Sequence, residues 1–240
     1  MNIKIKYGVA GFCMGVAELI PGISGSTIAV IFKIYPNLIS ILSNISLKNL
    51  STDFSTLSKT FLFSLSIPLI SSMAIAILAC SQGIDYLLSN HEEYFLLSLG
   101  WLMIFLSIYV ANFFKAAIEN ISLLIFLLAG VGLAFILNGL DINPSDPNIF
   151  YIFISGILAF SFFLIPGISG SAMLVILGVY MPVVQAVAQF NFDILIPFGL
   201  GCLISLYILP RLINALYSKY ETKLTFLFSG LIFYSGYFLI

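Results

Sequence analysis

Seven consecutive residues occur twice in this chain, as Ile20-Pro-Gly-Ile-Ser-Gly-Ser26 and as Ile165-Pro-Gly-Ile-Ser-Gly-Ser171, at an offset of 145. The register continues outward, pairing Gly11 with Gly156, Val30-Ile31 with Val175-Ile176, and Tyr35 with Tyr180. A fainter echo at an offset near 129 pairs Leu87, Ser89 and Glu92 with Leu216, Ser218 and Glu221. An extra polar stretch, 44–59, in the first half accounts for the change of offset. The chain is an internal duplication, and whatever one half folds into, the other must fold into as well.

Composition fixes the solvent. Of 240 residues, 61% are hydrophobic and 8% charged, against the roughly 25% charged residues of a soluble domain. Mean hydropathy is +1.15. Such a chain cannot cover itself in water, so the expected fold is an all-α polytopic membrane protein. Unbroken apolar runs cover 60–80, 94–114, 121–140, 194–213 and 224–240, each near the about 20 residues a bilayer crossing takes. Two further blocks, 7–43 and 149–184, are apolar but interrupted by the repeated motif. Lys4 and Lys6 before an apolar stretch resemble a signal peptide, yet Glu18 and Pro21 interrupt it and no small-x-small cleavage site follows, so we read it as retained. Cys13, Cys80 and Cys202, odd in number and scattered through apolar runs, read as packing residues.

Charge then orients the chain. If each interrupted block is a re-entrant hairpin, three spans separate the two and the halves face opposite ways. One face then collects Lys4, Lys6, Lys48, Lys59, Lys115, Arg211, Lys219 and Lys223. The other receives the loops 81–93, 141–148 and 185–193, with six acids and no Lys or Arg. Single crossings would move Lys48 and Lys59 across and spoil that segregation. The positive-inside rule therefore predicts an inverted repeat with a cytoplasmic N-terminus and an outer C-terminus. The expected organisation is one membrane domain over 1–240. Its first repeat is 7–114 with hairpin 7–43, a connecting span and outer loop cover 115–148, and the second repeat is 149–240 with hairpin 149–184.

Proline removes a helix donor, glycine admits unusual dihedrals, and serine caps a fresh helix. Each motif therefore reads as a helix break followed by a new start. Irregular backbone survives in a bilayer only where protein or an aqueous cavity surrounds it, and a helix N-terminus there favours an anion. With one hairpin entering from each face, Gly22, Ser24, Gly25, Ser26 and Thr27 would meet Gly167, Ser169, Gly170 and Ser171 near the midplane. That is the construction of an alternating-access substrate site. The competing reading of the motif is a tight helix-packing turn.

Two ionisable residues lie within the first hairpin, Glu18 before the break and Lys33 after it; their counterparts are Phe163 and Gly178. Buried charge in a membrane is a functional candidate. Glu18 is open to proton exchange or to neutralising Lys33, and Lys33 to a phosphate contact or to snorkelling. Arg211, after Pro210, reads first as a positive-inside anchor and second as a headgroup contact. His91, beside Glu92 and Glu93, reads as solvated, with no metal set around it. Asn112 and Asn138 read as helix-end or interhelical polar groups.

The stretch G-x-x-x-G-x-A-E-x-I-P-G-I-S-G from Gly11 to Gly25, the following S-T-I-A and Ile34-Tyr35 carry a resemblance, as do Ile165–Ser171 and Leu177–Tyr180. Over nearly its whole length the chain resembles the bacterial polyprenyl-phosphate transporter family. The resemblance implies a flippase returning undecaprenyl phosphate, the C55 lipid carrier, across the cytoplasmic membrane for reuse in envelope synthesis. It implies no catalytic residue, no cofactor, no metal and no nucleic-acid partner. Coupling to a proton or sodium gradient and assembly as a homodimer stay open. The family usually has glycine where Ser26 stands and commonly glycine where Lys33 stands, and its members typically extend further. Two alternatives remain. A polyprenyl-diphosphate phosphatase shares a P-G-x-S-R-S turn, but Gly25 and Gly170 occupy its arginine position and no Glu pair lies in the hairpins. A small-anion transporter would need the same two breaks.

Overall fold

The computed structural model describes residues 3–20, 22–45, 54–111, 120–140, 142, 144 and 147–240. Pro21, Lys48, Asn112 and Lys115 lie outside the described residues, as do parts of the polar stretch 44–59 and of the loop 141–148.

Helices carry the described chain, with no strand among the described residues. Their order is α1 (Ile3–Glu18), α2 (Gly25–Ile31), α3 (Tyr35–Ser43), α4 (Phe54–Thr60), α5 (Phe63–Val110), α6 (Leu123–Asn138), α7 (Ile149–Leu164), α8 (Gly170–Ile176), α9 (Tyr180–Gln189) and α10 (Phe192–Phe238). A medium helix, two short ones and a very long one thus occur twice, as α1-α2-α3-α5 and α7-α8-α9-α10. The long pair, α5 and α10, is apolar enough to cross a membrane, with mean hydropathy 2.1 in each. Leu78 is 81% exposed and Ile121 77% exposed, outward faces that suit lipid rather than water. Helices α8 and α9 bend 113° from one another, the geometry of a broken or re-entrant span.

At about 1.5 Å per residue, α5 would extend roughly 70 Å, more than twice the about 30 Å hydrocarbon core. It does not run as one span. Non-helical backbone breaks it at His91 (φ −141°) and breaks α10 at Tyr220 (φ −133°), positions 129 residues apart. Both breaks fall in the most polar part of their helix, Ser-Asn-His-Glu-Glu in one and Tyr-Ser-Lys-Tyr-Glu-Thr-Lys in the other. The expected loop at 81–93 is corrected here. Helix continues through residue 90 because Ile84, Leu87 and Leu88 keep helical spacing, and the turn shrinks to one residue. Likewise 211–219 is helical up to the break at Tyr220.

Packing follows the repeat. A Cβ added at Gly11 would run into the carbonyl of Leu69, and one added at Gly156 into the carbonyl of Phe198. Those are equivalent positions under the two offsets, so α1 meets α5 as α7 meets α10. Later in the long helices Gly100 and Gly236 touch backbone to backbone, while the Ser229 hydroxyl donates to the Ser107 carbonyl. Residue numbers rise on one helix as they fall on the other, so these segments cross antiparallel. Gly130 on α6 and Gly230 on α10 make a further close crossing. Without water to drive helices together, close approach at small residues supplies the packing. The largest core joins both halves, with Tyr7, Val30, Tyr35 and Leu69 against Leu164, Ile168, Phe228 and Leu231.

Gly156→Val forces a branched side chain into the Phe198 backbone and is expected to cost about 1–3 kcal/mol. Gly11→Val should cost a similar amount, and Gly132→Val, which meets nothing within 4 Å, should leave the melting temperature near wild type. Thermal unfolding in one detergent measures all three.

Candidate functional site

The two breaks are built alike because their residues are alike. In the first, α1 ends at Glu18, Gly22 takes φ +83°, and extended Ser24 caps α2 by accepting from the Ser26 N–H at 3.3 Å. In the second, α7 ends at Leu164, Gly167 takes φ +89°, and extended Ser169 caps α8 by accepting from the Ala172 N–H at 3.0 Å. The first glycine of each motif is needed for its left-handed backbone. Gly25 and Gly170 are not, which corrects the sequence reading: each begins a helix, and each is glycine because space is short. A Cβ at Gly25 would sit 2.7 Å from Glu18 Oε1, and one at Gly170 2.8 Å from the Ala159 carbonyl. The serines pair within each motif, Ser24 with Ser26 at 2.7 Å and Ser169 with Ser171 at 3.0 Å.

The breaks also meet each other. The Gly167 N–H donates to Thr27 Oγ1 at 2.8 Å. Ser24 Oγ donates to the Phe163 carbonyl at 3.4 Å, and the Tyr35 hydroxyl to the Leu164 carbonyl at 3.0 Å. Carbonyls released where α7 ends thus find donors on the first hairpin. Ser24, Ser26, Thr27 and Ser169 are buried, with Thr27 fully enclosed, whereas Ser171 is exposed. The expected notch is therefore packed around its own hydroxyls.

Asymmetry enters through three positions. Glu18 Oε1 accepts the Gly25 N–H at 2.7 Å, so a carboxylate occupies the helix start that an anion would seek. At the equivalent place in the second half stands Phe163, whose Cβ would lie 3.1 Å from a Cβ on Gly170. Thr27, the acceptor across the two breaks, is matched by Ala172. Lys33, with φ +54°, is matched by Gly178, with φ +66°. Both close the short helix before them in the same way. Lys33 and Ile34 N–H donate to Val30 and Ala29 carbonyls, each at 2.9 Å; Gly178 and Val179 repeat this on Val175 and Leu174. A lysine at this left-handed position costs about 1–2 kcal/mol that glycine does not.

Glu18 and Lys33 do not neutralise one another: Glu18 faces Gly25, while exposed Lys33 holds its Nζ 5.8 Å from the Tyr109 ring centre. Arg211 stacks 3.8 Å over the Tyr207 ring and donates through one guanidinium nitrogen to the Ile45 carbonyl beyond α3. Its second terminal nitrogen is buried with no hydrogen-bond partner among the described residues. These contacts tie α10 to the end of the first hairpin. His91 lies edge-on to Tyr86. Cys13, Cys80 and Cys202 are free thiols. The sequence did not single out Tyr109, Tyr217 or Thr225, which join Lys33 and Tyr35 around a cavity of about 270 Å³. Lys33, where the repeat has glycine, and Tyr35, which the repeat keeps, were the sequence signals leading there.

No solved structure matches this chain. It is 31% identical over 239 residues to a polyprenyl-phosphate transporter of Vibrio cholerae serotype O1, covering 95% of this chain and 74% of that protein. To a polyprenyl-phosphate transporter of Staphylococcus aureus it is 30% identical over 222 residues, covering 85% of this chain and 75% of that one. Both relatives carry a transporter's name, not an enzyme's. Residues 14–239, which include both breaks and both long helices, match the VCA0040-like family, described as undecaprenyl phosphate translocase-like, and the chain belongs to that family.

Proposed function

We propose that this chain is a flippase for undecaprenyl phosphate in the bacterial cytoplasmic membrane, returning the C55 carrier for envelope synthesis. The phosphate is held between the two breaks by Gly22, Ser24, Gly25, Ser26 and Thr27 on one side and Gly167, Ser169, Gly170 and Ser171 on the other. The observation that carries this reading is the hydrogen bond from Gly167 to Thr27, through which two duplicated, serine-capped breaks meet in the interior. Placing an unpaired charge in hydrocarbon is prohibitive. A site that offers hydroxyls and backbone N–H groups to the headgroup, while the tail remains in lipid, removes most of that cost. The halves are inverted in this scheme, with the N-terminus cytoplasmic and the C-terminus outside. The antiparallel crossing of equivalent segments at Gly100–Gly236 and Ser107–Ser229 supports that relation.

Glu18 acts as an internal stand-in for the substrate. Its carboxylate is an anion on the Gly25 N–H, and it must leave before a phosphate oxygen can take that donor. Protonation weakens its hold, because a charge-assisted hydrogen bond becomes a neutral one. A proton taken up there also reduces the net charge moved with the headgroup.

Reconstituted protein should accelerate movement of polyprenyl phosphate between leaflets. Ser24→Ala combined with Ser169→Ala should slow it at least about tenfold, the effect of one lost hydrogen bond to a charged group at about 1.5–3 kcal/mol. No acceleration over protein-free liposomes rejects the transport reading. Glu18→Gln should transport with little dependence on pH, whereas the wild type should speed up as pH falls; identical pH profiles would remove Glu18 from the cycle. In a cysteine-free background, Lys223→Cys should react with an impermeant thiol reagent from the cytoplasm and Glu92→Cys from outside. Labelling of both from one face would end the inverted scheme.

A further inference from the structure

We propose that Lys33 and Lys6 form a second anion site, at the mouth of the first hairpin and apart from the breaks, which captures a phosphate monoester group before it moves inward. Two cavities share Lys33, Ile31 and Tyr109. One, of about 270 Å³, continues to Tyr35, Tyr217, Glu221 and Thr225. The other, of about 390 Å³, continues to Lys6. The second gives room for a phosphate beside both lysines, with Tyr109 in its lining, and the first extends from it past Tyr35 and Tyr217.

The lysine is held where glycine would rest more comfortably. Position 33 has left-handed backbone, its repeat partner Gly178 has the same backbone, and the two short helices close with the same hydrogen bonds. Nothing in the packing calls for a long side chain here: Lys33 is exposed, and its ammonium makes only a 5.8 Å approach to the Tyr109 ring. Neither Lys33 nor Lys6 forms an ion pair with a described residue. Glu221 lines only the cavity that reaches Tyr35 and Tyr217, where Thr225 donates to its backbone carbonyl, so its carboxylate opposes an anion there and the phosphate belongs in the cavity lined by Lys6 and Lys33. In that cavity both lysines share one space with Ile31, Phe32 and Tyr109, and no acid lines it among the described residues.

The equivalent positions of the second half lack this charge. By the offset of 145, Lys33 corresponds to Gly178 and Lys6 to Tyr151, whose hydroxyl donates to the Leu177 carbonyl. The two ends of the pathway thus differ in affinity for an anion. That the anion is a lipid headgroup rests on the proposed function; that the site binds phosphate does not.

The test is equilibrium binding of farnesyl phosphate, inorganic phosphate and farnesol to the purified full-length chain in a zwitterionic detergent at low salt. Farnesyl phosphate should bind, and farnesol should not compete with it. Lys33→Gln and Lys6→Gln should each weaken binding about tenfold, as loss of a charge-assisted contact does. Lys33→Arg should retain it, and Lys219→Gln, which removes a charge outside the cavity, should not change it. Lys33→Gly should melt higher than the wild type and still bind poorly, which separates lost charge from lost fold. Inorganic phosphate binding with the same dependence on Lys33 marks the site as one for phosphate in general; its failure to bind marks the amphiphile as the ligand. Wild-type affinity in Lys33→Gln, or no measurable binding of either anion to the wild type, overturns the proposal. Should transport fail while this binding persists, the flippase reading falls and the anion site stands.

Discussion

A broken helix inside a bilayer must find partners for every backbone group the break releases, because lipid offers none. The rest of this structure depends on how that is done. Each half supplies its own cap, Ser24 or Ser169, for the helix that begins after the break. Carbonyls left at the end of α7 cannot be served locally, and Ser24 and Tyr35 from the other half serve them. Thr27 does the same for the Gly167 N–H. The halves are thus joined by polar need at their centres and by glycine-mediated contact around them. Separating them would leave buried donors and acceptors unsatisfied, each at a cost of about 1–3 kcal/mol.

The same bonds make the centre exchangeable. A hydroxyl pair such as Ser24–Ser26 or Ser169–Ser171 can turn its protons toward a phosphate oxygen without moving the backbone. Arginine or lysine in these positions would hold an anion more tightly and release it more slowly. Under the proposed function, neutral donors that already satisfy one another suit a headgroup that must be bound briefly and let go. Fixed charge enters once, as the Glu18 carboxylate on the Gly25 N–H, and Lys33 stands about two turns beyond.

Much of this was legible in the sequence, and the reason is symmetry. Two copies of one heptapeptide marked the two breaks, and the kinks at His91 and Tyr220 stand at the same offset near 129 that the sequence echo shows. Residue types within the motif told which would cap and which would turn, with Gly25 and Gly170 the exception. Their constraint is a neighbour in space, Glu18 or Ala159, that no local pattern reveals. Thr27 could be named as a polar candidate, but its bond to Gly167 spans 140 positions and depends on how the halves dock. The stretch 81–93 reads as a loop because charge interrupts the apolar run there, yet charge does not end a helix. In this fold the stretch rides on a helix that continues through residue 90 and breaks at His91.

Where the repeat is broken, direction can enter. A symmetric pair of hairpins gives two equivalent mouths and no preference between them. Glu18 against Phe163, Thr27 against Ala172, and Lys33 against Gly178 all place the added polar group on the first hairpin. The first break is therefore the one that carries its own anion, and its mouth is the one that carries lysine. An anion approaching it meets positive charge first and then a helix start that a carboxylate already fills. The second break presents an aromatic ring at that point and makes no such demand. One duplicated scaffold thus acquires unequal sides through three substitutions, and at position 33 the backbone stays as the repeat has it at Gly178.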